Sequence, residues 1–122
     1  MVLADTNVWV YFLNGKNNDQ RLGQMLWAGE IVTHWIVIGE MAVGSLANRG
    51  QFLSDMRELE RVTAATERES LVLIENRKLY GRGIGWNDIQ LLASCLIHGV
   101  PLWTHDRRLH EAAVELGCAW KG

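Results

Sequence analysis

The strongest constraint on the fold is a short apolar run near the start of the chain that ends in an acid. Residues 2–4 are Val, Leu and Ala, and Asp5 follows them, which predicts a buried strand that stops at an acidic turn. Residues 100–104 form a second run of this kind, and it leads to Asp106. Open α/β sheets place their chemistry at the carboxyl ends of their strands. We therefore expect Asp5 and Asp106 to share one pocket if the two strands are neighbours.

Helical and strand patterns alternate along the rest of the chain. Helices are predicted at residues 8–13, 19–28, 35–46, 50–59, 66–80, 87–98 and 109–116, and further strands at 31–33, 62–65 and 118–120. The helix at 35–46 is apolar nearly all round, which indicates a buried helix. Thr66 and Glu69 match a capping box. Short strands that alternate with helices imply parallel pairing. We expect residues 1–122 to form one α/β domain of three layers, α/β/α, around a short central parallel sheet.

Composition limits the classes of protein to which the chain can belong. A length of 122 residues is enough for one domain with its own core. Cys95 and Cys118 stand far apart in apolar surroundings, which predicts buried free thiols in a reducing compartment rather than a disulfide or a zinc site. No apolar run reaches the ~18 residues of a membrane span. We expect a soluble, cytoplasmic protein without a membrane partner, and six tryptophans that mostly fill the core, with one or two at a partner surface.

The net charge of −2 lacks the overall basic character of most nucleic-acid binders. The distribution of charge matters more. If four of the fourteen acids hold a metal, ten remain against twelve basic residues. Arg82, Arg107 and Arg108 belong to an arginine-rich segment and are expected to contact phosphates, with an ordinary solvated face as the alternative.

Four acids are candidates for the chemistry: Asp5, Glu40, Asp88 and Asp106. Each aspartate precedes a helix, so helix capping stays open as an alternative for each of them. Glu40 lies inside an apolar helix, where a carboxylate needs a cation or donors, and a buried Glu–Arg pair is its alternative. Carboxylates that meet at one sheet edge repel each other unless a divalent cation joins them. Mg²⁺ suits such oxygen ligands, and two ions ~4 Å apart would clamp a phosphodiester.

Polar neighbours of these acids are candidates for supporting roles. Thr6, Asn7 and Thr104 are expected to orient carboxylates or water, although such residues are also ordinary turn formers at strand ends. His105 stands beside Asp106, and we interpret it as an exposed residue without a role in the site rather than as a contact with the substrate.

Four motifs combine these residues: Asp-Thr-Asn-Val-Trp at 5–9, Ile-Gly-Glu-Met at 38–41, Gly-Ile-Gly-Trp-Asn-Asp at 83–88, and Leu-Trp-Thr-His-Asp-Arg-Arg-Leu at 102–109. In order and spacing they resemble the PIN-domain ribonucleases, and more narrowly the VapC-type toxins of bacterial toxin–antitoxin modules. The resemblance covers essentially the whole chain. Two departures are Asn7, where serine is common, and Trp35, where proline often precedes the glutamate helix.

The resemblance implies a PIN-like domain whose metal-binding acids fall on Asp5, Glu40, Asp88 and Asp106, with Thr104 as a polar neighbour. It also implies an endoribonuclease dependent on Mg²⁺ or Mn²⁺ that cleaves structured RNA such as tRNA or rRNA. A homodimer and a cognate antitoxin, whose tail covers the active site, are implied as well.

The expected mechanism is in-line attack of a metal-activated water on a phosphodiester, which leaves 5′-phosphate and 3′-hydroxyl ends. The sequence shows no paired histidines that would favour attack by a 2′-hydroxyl. Two alternatives remain at this point. One is a magnesium-binding, receiver-like domain that accepts a phosphoryl group, and the other is a PIN-like binding module without catalysis.

Overall fold

The computed structural model describes residues 1–15 and 18–122. Its strands are β1 (Val2–Ala4), β2 (Ile31–Val32) and β3 (Leu102–Trp103). Its helices are α1 (Thr6–Asn14), α2 (Arg21–Trp27), α3 (Trp35–Val43), α4 (Arg49–Glu58), α5 (Glu67–Arg77), α6 (Trp86–His98) and α7 (Arg107–Glu115). Over the described ranges, no helix is both long and apolar enough to cross a membrane.

The sheet is parallel and β1 is its central strand, in the order β2-β1-β3. Leu3 is paired with Val32 on one side and with Leu102 on the other. All three side chains are buried, as expected where helices cover both faces of a parallel sheet. The predicted α/β fold with a short central parallel sheet is confirmed. Because β1 and β3 are parallel neighbours, the segments that follow them lie at the same edge.

A local sequence signal sets the start of α5, and the apolar side chains of α6 pack into the core. Thr66 Oγ1 accepts from the backbone N–H of Glu69 at 3.1 Å, and Glu69 Oε1 accepts from that of Thr66 at 2.8 Å, so the predicted capping box is present. The apolar stripe of α6 packs into the core, with Leu91, Leu92 and Cys95 fully buried. Cys95 and Cys118 are both buried free thiols, as predicted.

Two predicted strands are wrong. At 62–65 the contact with the sheet is a single bridge between Thr33 and Arg61, and the Ala65 backbone N–H donates to Ser94 Oγ instead of to a strand. At 118–120 a single bridge joins Ala119 to Leu102. Each segment has the composition of a strand, but a strand also needs a partner over successive residues.

The prediction of a buried helix at 35–46 is only partly correct. The helix ends at Val43, and Trp35 and Val43 are 56% and 89% exposed, whereas Val37 and Met41 are buried. The expected placement of the tryptophans is also wrong, because only Trp9 and Trp103 are buried. The reason is common to both: a sheet of two- and three-residue strands can cover only one face of each helix.

Candidate active site

The four predicted acids line one open pocket with a volume of about 510 Å³. Asp5 directly follows β1, and Asp106 lies three residues beyond β3, the strand next to it. Glu40 comes from the middle of α3 and Asp88 from the first turn of α6. The pocket therefore lies at the carboxyl edge of the sheet, where the strand ends were expected to bring Asp5 and Asp106 together.

Each aspartate also takes the capping role that the sequence left open. Asp5 Oδ1 accepts from the Thr6 backbone N–H at 2.7 Å, and Asp106 Oδ1 accepts from that of Leu109 at 3.0 Å. Asp88 Oδ2 accepts from the Gly85 backbone N–H at 3.2 Å. These bonds hold the side chains in place while they line the pocket. Capping and membership of the site are therefore not alternatives here.

A hydrogen-bond network surrounds Asp5 Oδ2. Thr104 Oγ1 donates to this oxygen at 2.8 Å, and Asn7 Nδ2 lies 3.3 Å from it. Thr104 Oγ1 also accepts from the Asp106 backbone N–H at 3.1 Å, and Asn7 Oδ1 accepts from the His105 backbone N–H at 2.9 Å. Thr104 and Asn7 thus join the end of β1 to the segment that follows β3.

Glu40 is half-buried, and its hydrogen-bond partner is Thr6, whose Oγ1 donates to Glu40 Oε1 at 2.6 Å. The ion pairs among residues 1–15 and 18–122 are Arg21–Asp19, Arg82–Glu115 and Arg107–Glu111. The buried Glu–Arg pair that the sequence left open is therefore not found in this part of the chain.

Burial and mutual repulsion raise the pKa values of two of the acids. Asp5 is only 4% exposed, and desolvation raises its pKa to about 6. The bonds from Thr104 and Thr6 oppose this rise, while the charges of Asp88 and Glu40 add to it. Desolvation likewise raises the pKa of Asp88, and the charges of Asp106 and Glu40 contribute. The pocket thus holds negative charge that a bound cation would stabilise.

The carboxylates line the pocket without forming a tight cage. Within the described residues, no three His, Cys, Asp or Glu side chains are grouped closely enough to surround one metal ion. Mg²⁺ and similar hard cations keep several waters and need only one or two carboxylates, and this donor set contains oxygen alone. The residues present therefore fit a hydrated Mg²⁺ or Mn²⁺, with direct bonds from few carboxylates and water-mediated contacts to the others.

The three predicted phosphate-binding arginines do not line the pocket. Arg82 donates two hydrogen bonds to Glu115, at 2.8 and 2.9 Å, and Glu115 lies about 13 Å along α7 from its N-cap. Arg107 begins α7 and bonds Glu111 at 3.1 Å. Arg108 lies against Gly83, where any Cβ would collide with the guanidinium. Of these three arginines, only Arg107 and Arg108 are close in sequence to an acid of the pocket, Asp106.

Two aromatic side chains of the pocket were missed or misjudged from the sequence. Tyr11 and His105 both line it, in an edge-to-face pair with ring centroids 4.9 Å apart. His105 is exposed, as expected, and it also lines the pocket. Desolvation lowers the pKa of His105, which favours the neutral imidazole. The available signal was the helical spacing of Asn7, Tyr11 and Asn14, which share one face of α1.

Comparison with known proteins agrees with this architecture. The model of the PIN domain family matches residues 2–115, a range that includes all four acids. Ribonuclease VapC32 of Mycobacterium tuberculosis, from strain CDC 1551 / Oshkosh and from strain ATCC 25618 / H37Rv, is 40% identical over 120 residues. That match covers 98% of this chain and 95% of the relative. The chain therefore belongs to the PIN domain family, within its group of VapC-type ribonucleases.

Proposed function

We propose that the protein is a metal-dependent endoribonuclease toxin that hydrolyses structured RNA, with tRNA or rRNA as the substrate class. The observation that carries the proposal is the convergence of Asp5, Glu40, Asp88 and Asp106 on one pocket, where repulsion between carboxylates favours a cation. The similarity to a relative named as a ribonuclease supports the same reaction.

Asp5, Asp88 and Asp106 would hold Mg²⁺ or Mn²⁺, with Glu40 as a further ligand or as the base that orients the attacking water. The ion would neutralise the phosphate and lower the pKa of a water. Thr104 and Asn7 hold Asp5 in place, and the Thr6 hydroxyl occupies Glu40 Oε1. If Glu40 is the base, its Oε2 is the atom that would accept the proton of the water. In-line attack on phosphorus would break its bond to the 3′-oxygen, which takes up a proton from solvent, and would leave 5′-phosphate and 3′-hydroxyl ends.

The aromatic side of the pocket suits an unpaired nucleotide. Tyr11 and His105 offer ring faces, and bases of single-stranded RNA stack on such side chains in a way that tolerates different sequences. Arg107 and Arg108 follow Asp106 in the sequence and would contact flanking phosphates. Arg82 would first have to leave Glu115.

The proposal includes protein partners and a location. A cognate antitoxin would present an arginine to the carboxylates, because bidentate, charge-assisted bonds form between these groups. A homodimer would cover apolar side chains that are exposed in the single chain, such as Trp27, Trp35 and Val43. The buried free thiols suit the reducing cytoplasm, where RNA and antitoxin are both present.

The test is cleavage of 5′-labelled tRNA and rRNA fragments with Mg²⁺, with Mn²⁺ and with EDTA, followed by analysis of the new ends. Metal-dependent products with 5′-phosphate and 3′-hydroxyl ends are expected from the wild type and not from Asp5→Asn. Ends with a 2′,3′-cyclic phosphate, or equal cleavage in EDTA, would refute the mechanism. RNA binding without cleavage would instead favour the non-catalytic module. The receiver-like alternative has no support, because the chain belongs to the PIN domain family.

A further inference from the structure

A buried histidine begins the helix that carries Glu40. His34 is 0% exposed and is the N-cap of α3, where its Nδ1 accepts from the Ile36 backbone N–H at 3.1 Å. Its Nε2 lies 2.9 Å from Ser94 Oγ. Because Nδ1 is an acceptor, the neutral ring carries its hydrogen on Nε2, which donates to Ser94. This pair of bonds determines both the tautomer and the orientation of the ring.

The Ser94 hydroxyl uses its full hydrogen-bonding capacity inside the core. It donates to the Gln90 carbonyl at 2.7 Å and accepts from the Ala65 backbone N–H at 2.9 Å, in addition to His34. Ser94 is 0% exposed. A buried polar network that is fully satisfied specifies one arrangement of its elements, since any shift leaves a group without a partner.

This network joins the two helices that bring Glu40 and Asp88 to the pocket. His34, the N-cap of α3, precedes Glu40 by six residues, and Ser94 follows Asp88 by six residues on α6. The main packing partners of α3 are α4 and α1, whereas α6 packs mainly on α5 and β3. The bond between His34 and Ser94 is thus a direct link between helices that otherwise pack on different neighbours.

We propose that His34 is a positioning residue that, through Ser94, sets the spacing between Glu40 and Asp88 and so the affinity of the acid pocket for a divalent cation. The part of this proposal that concerns the cation rests on the proposed metal-dependent function. The part that concerns the spacing does not.

The predicted effect on cation affinity is tested by Mn²⁺ binding, which is measured by calorimetry well below the melting temperature of each variant. Ser94→Ala is expected to lower the Mn²⁺ affinity roughly tenfold, as for other residues that orient metal ligands. Ser70→Ala is the matched control. Ser70 is also 0% exposed and also donates to the carbonyl four residues earlier, at 2.9 Å, but it lies on α5, which carries no acid of the pocket.

Two substitutions of the histidine separate its two bonds. His34→Asn retains an acceptor for the Ile36 N–H but cannot reach Ser94, and it is expected to bind Mn²⁺ as weakly as Ser94→Ala. His34→Gln retains a donor that reaches Ser94, and it is expected to restore most of the affinity. Wild-type affinity in Ser94→Ala, or an equal loss in Ser70→Ala, would overturn the proposal.

The spacing is tested without metal or RNA. Spin labels at positions 40 and 88, introduced in a Glu40→Cys, Asp88→Cys background, report the distance distribution by pulsed electron resonance. Cys95 and Cys118 are buried, and burial raises the pKa of both thiols, so they label slowly. A narrow distribution that shifts or broadens with Ser94→Ala, but not with Ser70→Ala, supports the positioning role. An unchanged distribution refutes it. A wild type that binds no Mn²⁺ would refute the proposed metal dependence instead.

Discussion

The hydroxyl of Thr104 donates to Asp5 Oδ2 at 2.8 Å although 99 residues separate the two in sequence. Thr104 Oγ1 itself accepts from the Asp106 backbone N–H at 3.1 Å. One hydroxyl therefore connects the acid that follows β1 to the acid beyond β3. It also supplies the bond that most opposes the rise in the pKa of Asp5 caused by burial.

Replacement of this hydroxyl should weaken the site without changing its shape. Thr104→Val keeps the volume but leaves Asp5 Oδ2 without its shortest hydrogen bond. We expect RNA cleavage at fixed pH and Mg²⁺ to fall by roughly tenfold to a hundredfold, the usual effect of removing a group that orients a metal ligand. Thr104→Ser retains the hydroxyl and should retain most of the activity. Equal rates for the valine and serine variants would contradict this role.

Asp5→Asn should stabilise the metal-free protein while it abolishes cleavage. The folded-state pKa of Asp5, about 6, lies above the ordinary value of 3.8, so its contribution to stability is complete below pH 3.8 and is lost as the pH rises through 6. The full difference corresponds to about 3 kcal/mol at neutral pH. Since asparagine regains only part of this, we expect an increase of about 1–2 kcal/mol at pH 7.5 in EDTA.

Urea unfolding of the wild type and Asp5→Asn measures this difference. The gain should shrink towards pH 4, where the wild-type carboxyl becomes protonated. An asparagine variant that is less stable than the wild type at pH 7.5 would show that Asp5 is not under strain in the metal-free pocket.

His34 should give the opposite dependence of stability on pH. Burial lowers its pKa to about 4, so its contribution is complete above the ordinary value of 6.5 and is lost as the pH falls through 4. In an Asp5→Asn background, the free energy of unfolding should fall by about 3 kcal/mol more between pH 7 and pH 4 than in the Asp5→Asn, His34→Asn double variant. Urea unfolding across this pH range is the measurement. Parallel curves of unfolding free energy against pH for the two proteins would show that the pKa of His34 is not lowered by folding.

Divalent cations should raise the melting temperature of the wild type and not of Asp5→Asn. A ligand at 100 times its dissociation constant stabilises a folded protein by about 2.7 kcal/mol, provided that the unfolded chain does not bind it. A thermal shift assay with MgCl₂ and MnCl₂ measures this effect, with NaCl at equal ionic strength as the control. The same shift in both proteins would mean that the cations act elsewhere.

The arginines should differ in their contribution to RNA binding. Arg107→Ala and Arg108→Ala should each lower the slope of log affinity against log salt by about 0.7–0.9, the value for one lost phosphate contact. Arg82→Ala should leave the slope unchanged, because Arg82 is paired with Glu115. Filter binding of a tRNA to the inactive Asp5→Asn protein at several salt concentrations measures the slopes. A reduced slope for Arg82→Ala alone would mean that Arg82, and not Arg107 or Arg108, contacts a phosphate.

Much of the site was predictable because its signals are local. Asp5, Asp88 and Asp106 stand where a strand ends or a helix begins, and Glu40 is conspicuous as a carboxylate within an apolar helix. The pairing of β1 with β3 was the condition for their convergence, and it is met. The segments at 62–65 and 118–120 were mispredicted because strand composition does not reveal whether a partner strand continues alongside.

The sequence by itself determined where the helices start, to within two residues, and the acids at the strand ends, since caps and apolar periodicity act over a few residues. Only the tertiary structure decided that Tyr11 and His105 line the pocket, that His34 bonds Ser94, and that three of the six tryptophans remain exposed. Those outcomes depend on which elements pack together and how much surface a small sheet can cover. The position of Asp5 at the end of β1 is a local property, whereas its bond to Thr104 exists because β3 lies beside β1.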